Sequence, residues 1–165
     1  MNISIIGSGY VGLVSGACLA EIGHYVICID NDENKIGLLK KGKIPIYEPQ
    51  LEELFKKNVD RGRLSFSTSI EEGVSRTKII FIAVGTPPKE NGEADLSSVE
   101  KVCRQIARGM KEYKLIVEKS TVPVKTGRWI KHLLKTHSNC LDFDVASNPE
   151  FLREGNAIDL SLIHI

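Results

Sequence analysis

The sequence predicts an α/β fold, a doubly wound parallel sheet of about six strands with helices on both faces. Three observations predict it. Short β-rich runs alternate with helical patterns along the 165 residues, several of those runs are apolar almost throughout, and a glycine-rich turn joins the first run to the first helical pattern. Strands that are apolar on both sides are typical of a sheet covered by helices on both faces. We therefore expect right-handed helical crossovers between the strands.

The strands are predicted from six short β-rich runs, at 3–6, 25–30, 64–67, 78–84, 114–118 and 143–146. Five helices are predicted between them, at 11–22, 33–40, 50–60, 96–111 and 126–136. In the third helix, for example, Leu51, Leu54 and Phe55 share one face, and Gly62 follows as a stop signal. Two segments rich in Pro and Gly, 41–50 and 85–97, are predicted to be loops.

Composition excludes several classes of function. Lys and Arg number 22 and Asp and Glu 21, so the net charge is +1 and no basic field is available for nucleic acid. The apolar N-terminal stretch has no positive region before it, and Glu21 and His24 interrupt it before it could span a bilayer. We expect a protein that binds neither nucleic acid nor membrane.

The four cysteines, Cys18, Cys28, Cys103 and Cys140, are widely spaced and form no C-x-x-C pair. This spacing argues against disulfides and against a metal site, and it favours reduced thiols in the cytoplasm. Cys18 shares a helical stripe with Val14, which predicts a core position for it.

The stretch GSGYVG at 7–12 is a G-x-G-x-x-G motif between a predicted strand and a predicted helix. Gly7 permits the tight turn, Gly9 lets the backbone approach a pyrophosphate, and Gly12 lets the helix pack close to the strand. The free N–H groups at the start of the helix favour phosphate. On its own the motif also fits a purely structural turn, or a site for a flavin or S-adenosylmethionine.

An acidic residue at the end of the second strand favours a dinucleotide. Asp30 lies eighteen residues after Gly12, and the whole unit is about thirty residues long. A carboxylate there accepts hydrogen bonds from the adenosine ribose and repels a 2′-phosphate, and no arginine follows it. The sequence therefore predicts a Rossmann-type site for NAD rather than NADP. From its position alone, Lys35 is interpreted as a solvated helix lysine, with a phosphate or ribose contact as the less favoured alternative.

The later strands end in loops that carry polar side chains. Thr86 follows the fourth strand and Thr121 the fifth, at the edge where such a sheet binds its ligand. Turn formation and helix capping explain both residues equally well. After the sixth strand, Glu150 and Glu154 are four residues apart, so that in a helical turn both carboxylates point the same way. We expect this pair to act on a ligand or a proton.

Four motifs together resemble a known family. GSGYVG, GTPP, EKSTVPVKTG and SNPEFLREGNAID, in this order and spacing, look like those of UDP-glucose 6-dehydrogenases and, more broadly, of nucleotide-sugar 6-dehydrogenases, including the GDP-mannose enzyme. The last two motifs are far more specific than the glycine motif. The resemblance covers residues 1–159, nearly the whole chain.

The resemblance implies oxidation of a sugar C6 alcohol to a carboxylate in two NAD-dependent hydride transfers, with the intermediate held on a cysteine. It implies an NAD site built from Gly7, Gly9, Tyr10, Val11, Gly12, Asp30, Lys35, Thr86, Thr121 and Glu154. Glu150 would be the base that helps water to hydrolyse the thioester, and Thr121 would help to hold that water. The nucleotide-sugar would lie along Glu150, Phe151, Leu152, Arg153 and Glu154.

The resemblance also implies how the chain is divided. Residues 1–159 would be the NAD-binding domain, and the family's central helix and C-terminal substrate domain, which carries the cysteine, would be absent. Residues 160–165 differ from the polar continuation of the family and are expected to be a truncated or foreign tail.

None of the four cysteines has a matching context. Cys103 is expected far from the strand carboxyl ends, and Cys140 at the opposite edge of the sheet from Glu150.

We therefore expect the NAD-binding part of a UDP-glucose 6-dehydrogenase, inactive alone and forming a homodimer or larger homo-oligomer when full length. Two alternatives stay open: another nucleotide-sugar dehydrogenase, such as that for GDP-mannose, and a non-catalytic NAD-binding module. The glycine spacing and the later motifs disfavour an S-adenosylmethionine-binding domain.

Overall fold

The computed structural model of the protein describes residues 1–162, and six strands in that range form one sheet. They are β1 (Asn2–Ile6), β2 (Tyr25–Ile29), β3 (Leu64–Ser67), β4 (Ile79–Ile82), β5 (Lys114–Glu118) and β6 (Phe143–Ser147). The order across the sheet is β3-β2-β1-β4-β5-β6, and every neighbouring pair is parallel. The predicted doubly wound parallel sheet is confirmed.

The described part of the chain also has α-helices on both faces of the sheet. They are α1 (Tyr10–Glu21), α2 (Glu33–Lys40), α3 (Leu51–Asp60), α4 (Ile70–Arg76), α5 (Ser97–Gly109), α6 (Thr126–His137) and α7 (Ala157–Leu162). The five predicted helices are confirmed, whereas α4 and α7 were not predicted. Helix α7 includes residues 160–162 of the expected tail, and residues 163–165 lie outside the described residues.

Helix α4 escaped prediction because it is short and has little apolar periodicity. Its seven residues include Gly73, and only Ile70 and Val74 are large and apolar. The helix begins because the Ser69 hydroxyl accepts a hydrogen bond from the Glu72 N–H at 3.1 Å. A Ser-x-x-Glu sequence is a helix-start signal, so this part of the helix was visible in the sequence.

Each face of the sheet has its own apolar core. On one face α1, α2 and α3 pack against the strands through Leu13, Ile36, Phe55, Ile5 and Cys28. On the other face α4, α5 and α6 do so through Val74, Ile106, Leu134, Ile80 and Ile116. A smaller cluster packs α7 on α1, with Ala157 and Ile158 against Val14 and Cys18. Cys18 is therefore in the core, as predicted.

The register of the sheet brings the carboxyl ends of neighbouring strands to one edge. Ile6 at the end of β1 lies opposite both Ile29 and Ile82, and Ile82 lies opposite Glu118. The chain winds outward in opposite directions from β1 and β4, and such a reversal opens a crevice between the following loops. Within residues 1–162, no helix combines the length and apolar content needed to cross a membrane.

Candidate functional site

The glycine loop after β1 has the geometry that its sequence predicts. Gly7 has φ of 106°, and a Cβ there would lie 2.3 Å from the Ala83 carbonyl oxygen. A Cβ on Gly12 would lie 1.8 Å from the Gly7 oxygen, so only glycine lets α1 approach the turn so closely. Gly9 differs, because a Cβ there would meet no atom within 4 Å. Its open side faces a cleft, which leaves the backbone accessible to a ligand.

The Asp30 carboxylate closes the loop from the end of β2. Its Oδ2 accepts hydrogen bonds from the Ser8 N–H at 2.9 Å and from Lys35 Nζ at 2.7 Å, and its Oδ1 accepts one from the Asp32 N–H at 3.1 Å. Burial alone would raise the pKa of Asp30, but these donors together hold that pKa below its ordinary value. The carboxylate is therefore ionised at neutral pH.

Lys35 does not have the surroundings of a solvated helix lysine. Its ion pair with Asp30 joins the start of α2 to the end of β2, and the side chain is only 29% exposed. The interpretation from position alone is therefore corrected, because the carboxylate of Asp30 draws the ammonium group in beside the glycine loop.

A cleft of about 840 Å³ lies at the carboxyl edge between these loops and helices α4 and α5. Four predicted cofactor residues line it: Gly7, Gly9, Asp30 and Lys35. Its other walls were missed by sequence reasoning, and they include Asn31, Thr68, Ser69, Glu71, Gly85, Ser98, Lys101, Gln105 and Arg108. The α5 wall had a signal in the sequence, since its polar residues recur at helical spacing. For the wall from 68 to 71 the signal was the Ser-x-x-Glu helix start at Ser69, which was not used because α4 was not predicted.

The loops after β4 and β5 meet at the same edge. The Thr86 hydroxyl donates a hydrogen bond to the Thr121 carbonyl at 2.6 Å, so these two predicted residues lie together. The N–H groups of Lys119 and Ser120 donate to the Ile82 carbonyl at 2.9 and 3.1 Å. Neither threonine lines the cleft of about 840 Å³; they form a second part of the edge, towards β6.

The segment 148–156 follows β6, and it corrects one expectation. Glu150 and Glu154 do not share a helical turn, because residues 148–153 have no helical structure. Glu150 instead folds back on its own backbone, and its Oε2 accepts the Leu152 N–H at 2.6 Å. Gly155, with φ of 87°, then turns the chain into α7.

The side chains of the segment 150–154 point to different surroundings. Phe151 is 87% exposed, whereas Leu152 is partly buried against the cluster of α1 and α7. Arg153 and Glu154 are exposed. Nearby, Lys119 Nζ donates to Asn148 Oδ1 at 3.1 Å, and burial lowers the pKa of Lys119 while the charge of Glu150 opposes that shift. A polar group of Lys119, Asn148 and Glu150 therefore lies beside the exposed Phe151.

Two remaining predicted cofactor residues lie away from the cleft. Tyr10 turns towards the 41–50 loop, where its hydroxyl donates to Glu48 Oε2 at 2.6 Å. Val11 is partly buried in the first turn of α1 and is not part of the cleft wall. Glu48 was missed by sequence reasoning, because its partners are remote in the chain.

Glu118 is an ionisable residue within the sheet at this edge. Its side chain is 1% exposed, its Oε1 accepts the Ser120 N–H at 2.7 Å, and its Oε2 has no partner among the described residues. Burial raises the pKa of this carboxyl from its ordinary 4.5 to about 7, although the bonds from Ser120 oppose the shift. Glu118 was present in the sequence motif, but nothing there indicated that it is buried.

The cysteines are free thiols, and three of them are buried. Burial raises the pKa of Cys18 to about 11 and that of Cys28 and Cys103 to about 12. Cys103 lies within α5 and does not line the cleft, and the charges of Glu118 and Glu100 add to the effect of burial on its pKa. Cys140 precedes β6 and so lies at the opposite edge from Glu150, as predicted.

Comparisons with known proteins agree with this geometry. Residues 1–162 match the family model for the UDP-glucose/GDP-mannose dehydrogenase family, NAD binding domain. The chain is 53% identical over 159 residues to UDP-glucose 6-dehydrogenase YwqF of Bacillus subtilis, covering 96% of this chain and 36% of that protein. It is 49% identical over 160 residues to the UDP-glucose 6-dehydrogenase of Rhizobium meliloti, covering 96% and 37%. The chain thus spans little more than a third of these relatives.

Solved structures give the same result. The fold matches a UDP-glucose dehydrogenase from the archaeon Pyrobaculum islandicum with a TM-score of 0.92 and 42% identity, covering 96% of this chain and 38% of that one. It matches a GDP-mannose dehydrogenase from Pseudomonas aeruginosa with a TM-score of 0.91 and 43% identity, over the same shares of the two chains. The two structures differ in the sugar nucleotide that their names carry, yet they resemble this chain equally.

Proposed function

Since the chain belongs to the UDP-glucose/GDP-mannose dehydrogenase family and matches its NAD-binding domain, we propose that it is the cofactor-binding part of a UDP-glucose 6-dehydrogenase. The observation that carries the proposal is the open side of Gly9 in the same cleft as the Asp30 carboxylate. Backbone access for a pyrophosphate and an acceptor for ribose hydroxyls are the two features that a dinucleotide site needs.

The proposed NAD site comprises the cleft and the neighbouring loops, and its residues have distinct roles. The pyrophosphate lies against Gly9 and the first N–H groups of α1, where the helix dipole favours negative charge. The ribose hydroxyls donate to Asp30, and Lys35 orients that carboxylate through their 2.7 Å bond. Thr86, Thr121 and Glu154 lie towards the nicotinamide end. Tyr10, Val11 and Gly12 act by shaping the loop.

In the proposed reaction UDP-glucose is oxidised at C6 to UDP-glucuronate, and NAD accepts the hydride in each of two steps. Two relatives that carry this activity in their names support it. Glu150 is the base for the final hydrolysis, Thr121 helps to hold the water, and Phe151, Leu152 and Arg153 contact the nucleotide-sugar. Residues 1–159 form the cofactor domain in this proposal, and the reactive cysteine is supplied from a second domain of the complete enzyme.

A second candidate is the oxidation of GDP-mannose by the same chemistry. It is favoured by the match to the Pseudomonas aeruginosa GDP-mannose dehydrogenase, at 43% identity. We also propose a cytoplasmic location, which the four free thiols support, and self-assembly of the complete enzyme into a homodimer or larger oligomer.

Titration calorimetry of NAD into the 165-residue chain tests the proposed site. The parent chain should bind NAD, and Gly9→Val should abolish binding, because the valine side chain occupies the space that the pyrophosphate needs. That space is empty in the structure, so the variant should fold normally. Gly37→Val, on an open surface of α2 outside the cleft, is the matched control and should bind NAD like the parent. Equal NAD affinity in the parent and Gly9→Val would contradict the assignment.

A further inference from the structure

A buried glutamate outside the cleft joins two parts of the site. Glu48 lies in the loop between α2 and α3, is 5% exposed, and accepts hydrogen bonds from three donors. Tyr10 Oη donates to its Oε2 at 2.6 Å, the Gly155 N–H to the same oxygen at 2.8 Å, and the Ala157 N–H to Oε1 at 2.7 Å. The two backbone donors are more than a hundred residues away in the sequence.

The ionised form of Glu48 is stabilised by those three hydrogen bonds. Burial alone would raise the pKa of Glu48, but the bonds from Tyr10, Gly155 and Ala157 hold the pKa below its ordinary value. Within residues 1–162 it has no ion pair with a lysine or arginine. A buried charge without a counter-ion is costly unless fixed dipoles solvate it, so the loss of any one donor should disturb the others.

The donors belong to the two segments that the proposed function uses. Tyr10 follows Gly9 directly and is the first residue of α1. Gly155 and Ala157 come immediately after the segment 150–154, and Ala157 is the first residue of α7. The first N–H groups of a helix have no partner within it. Glu48 supplies the partner for α7 from a distant loop, and so fixes where the segment 150–154 ends.

We infer that Glu48 is a positioning residue that holds the start of α7, and with it the segment 150–154, against Tyr10 of the glycine loop. The contact at Tyr10 also links the two ligand-binding parts of the site. A ligand held by the glycine loop should tighten the backbone at 155–157 through Glu48. This last step rests on the proposed NAD site, whereas the clamp between Tyr10, Glu48 and α7 does not.

Amide hydrogen exchange of the 165-residue chain, followed by NMR, tests the clamp without any ligand. Glu48→Gln keeps the shape of the side chain but replaces one acceptor oxygen by an NH₂ group that faces N–H and O–H donors. Exchange at Gly155 and Ala157 should become faster by on the order of tenfold or more, as expected for hydrogen bonds to a charged group. Glu52→Gln is the matched control and should leave both amides unchanged, because Glu52 is exposed and its side chain bonds only Lys56 among the residues that the structure describes.

Tyr10→Phe provides a milder variant that removes one donor and keeps the ring. Exchange at Gly155 and Ala157 should then lie between the parent and Glu48→Gln. This variant decides the question if Glu48→Gln fails to fold. Unchanged exchange at both amides in either folded variant would overturn the positioning role.

Adding NAD separates this inference from the proposed function. In the parent, NAD should slow exchange at Gly155 and Ala157 further, and in Glu48→Gln that extra protection should disappear. If Glu48→Gln only lowered the stability of the fold, NAD would still slow exchange at these two amides. Loss of the NAD-dependent protection therefore reports on the coupling through Glu48. If the parent does not bind NAD, the proposed cofactor site is wrong, and the exchange rates without ligand still decide the role of Glu48. If the parent binds NAD and Glu48→Gln responds as the parent does, the coupling is wrong.

Discussion

At the level of single residues, we expect the Asp30 carboxylate to decide which dinucleotide the cleft accepts. Its Oδ2 already accepts hydrogen bonds from the Ser8 N–H and from Lys35 Nζ, so the carboxylate is fixed in place and ionised before any ligand binds. A fixed anion accepts bonds from ribose hydroxyls and repels a 2′-phosphate. The ammonium group of Lys35 contributes to this fixed position of the carboxylate, and the ion pair keeps the Lys35 side chain from extending into solvent.

We predict that the parent chain binds NAD more tightly than NADP and that Asp30→Ala narrows this gap. The variant should weaken NAD binding by about tenfold, through the loss of hydrogen bonds to a charged group, and it leaves Lys35 available to a 2′-phosphate. Titration calorimetry with both cofactors measures the effect. Glu33→Ala, an exposed acidic residue of α2, controls for the loss of one negative charge. Equal affinity of the parent for NAD and NADP would contradict the role of Asp30.

Glu118 gives a pH prediction of definite sign. Its pKa is about 7 in the folded chain against an ordinary 4.5, so the folded state keeps a proton that the unfolded state has already released. The stabilising contribution of Glu118 is therefore complete below pH 4.5 and is lost as the pH rises towards 7. The free energy of unfolding falls by at most about 1.4 kcal/mol per pH unit in this range.

Glu118→Gln mimics the protonated acid and should remove the fall in stability between pH 4.5 and 7. The variant and the parent should have similar free energies of unfolding at pH 5, and the variant should be more stable by roughly 2 kcal/mol above pH 7. Urea denaturation across this range measures the difference. The exposed Glu53→Gln should follow the parent at every pH. A constant difference between Glu118→Gln and the parent would show that Glu118 does not titrate in this range.

At the level of elements, the packing of α1 on the sheet depends on its small residues. A Cβ on Gly16 would lie 2.6 Å from Cys28 Sγ and 3.5 Å from Ile5 Cδ1, both in the buried core. Gly37 in α2 is also helical, but a Cβ there would meet no atom within 4 Å. The same substitution should therefore have opposite effects at the two sites.

Gly16→Ala should lower the free energy of unfolding by about 1 to 3 kcal/mol, because the extra methyl group overpacks a close helix–strand contact. Gly37→Ala should raise it by about 0.5 to 1 kcal/mol, from helix propensity alone. Chemical denaturation of both variants beside the parent measures the pair. A stabilising Gly16→Ala would mean that α1 and β2 are less closely packed than the distance to Cys28 indicates.

The elements also explain how far the sequence could predict the structure. Strands buried on both faces are almost uniformly apolar, which made β1, β2 and β4 easy to predict. Strands β3 and β6 contain polar residues and were predicted from their short β-rich runs. Helix α4 was missed because Gly73 and few apolar residues hide its periodicity. The pairing of Glu150 with Glu154 was wrong because spacing was taken to imply a helix, whereas a carboxylate folded back on the Leu152 N–H breaks the turn.

The candidate site was predictable only where it depends on local sequence. The glycine loop and Asp30 fit within one βαβ unit, so their relation could be predicted from spacing. Glu48 could not be found, since its backbone partners, Gly155 and Ala157, are brought to it only by the complete fold. The α5 wall of the cleft is an intermediate case: its polar face could be predicted from helical spacing, but its position beside the crevice depends on the order of the strands in the sheet.

At the level of the whole molecule, the placement of the thiols decides whether we expect turnover in addition to cofactor binding. Oxidising an alcohol beyond the aldehyde requires a group that holds the aldehyde for a second hydride transfer, and a thiolate does this well. Cys18, Cys28 and Cys103 are buried with pKa values of about 11 to 12, so they are neutral at physiological pH. Cys140 lies at the amino end of β6. In residues 1–162, therefore, no cysteine is both exposed and placed beside the cleft.

We accordingly predict that the 165-residue chain binds NAD but forms no UDP-glucuronate from UDP-glucose. NADH absorbance and chromatography of the products measure turnover, and calorimetry on the same sample confirms that the cofactor site is intact. A complete enzyme carrying this domain is the positive control.

In that enzyme Glu150→Gln should slow hydrolysis of the thioester more than the first hydride transfer, because only hydrolysis needs the base. Steady turnover by the 165-residue chain would mean that one of its own thiols reaches the sugar, and an unchanged rate of thioester hydrolysis in Glu150→Gln would remove the role proposed for that carboxylate.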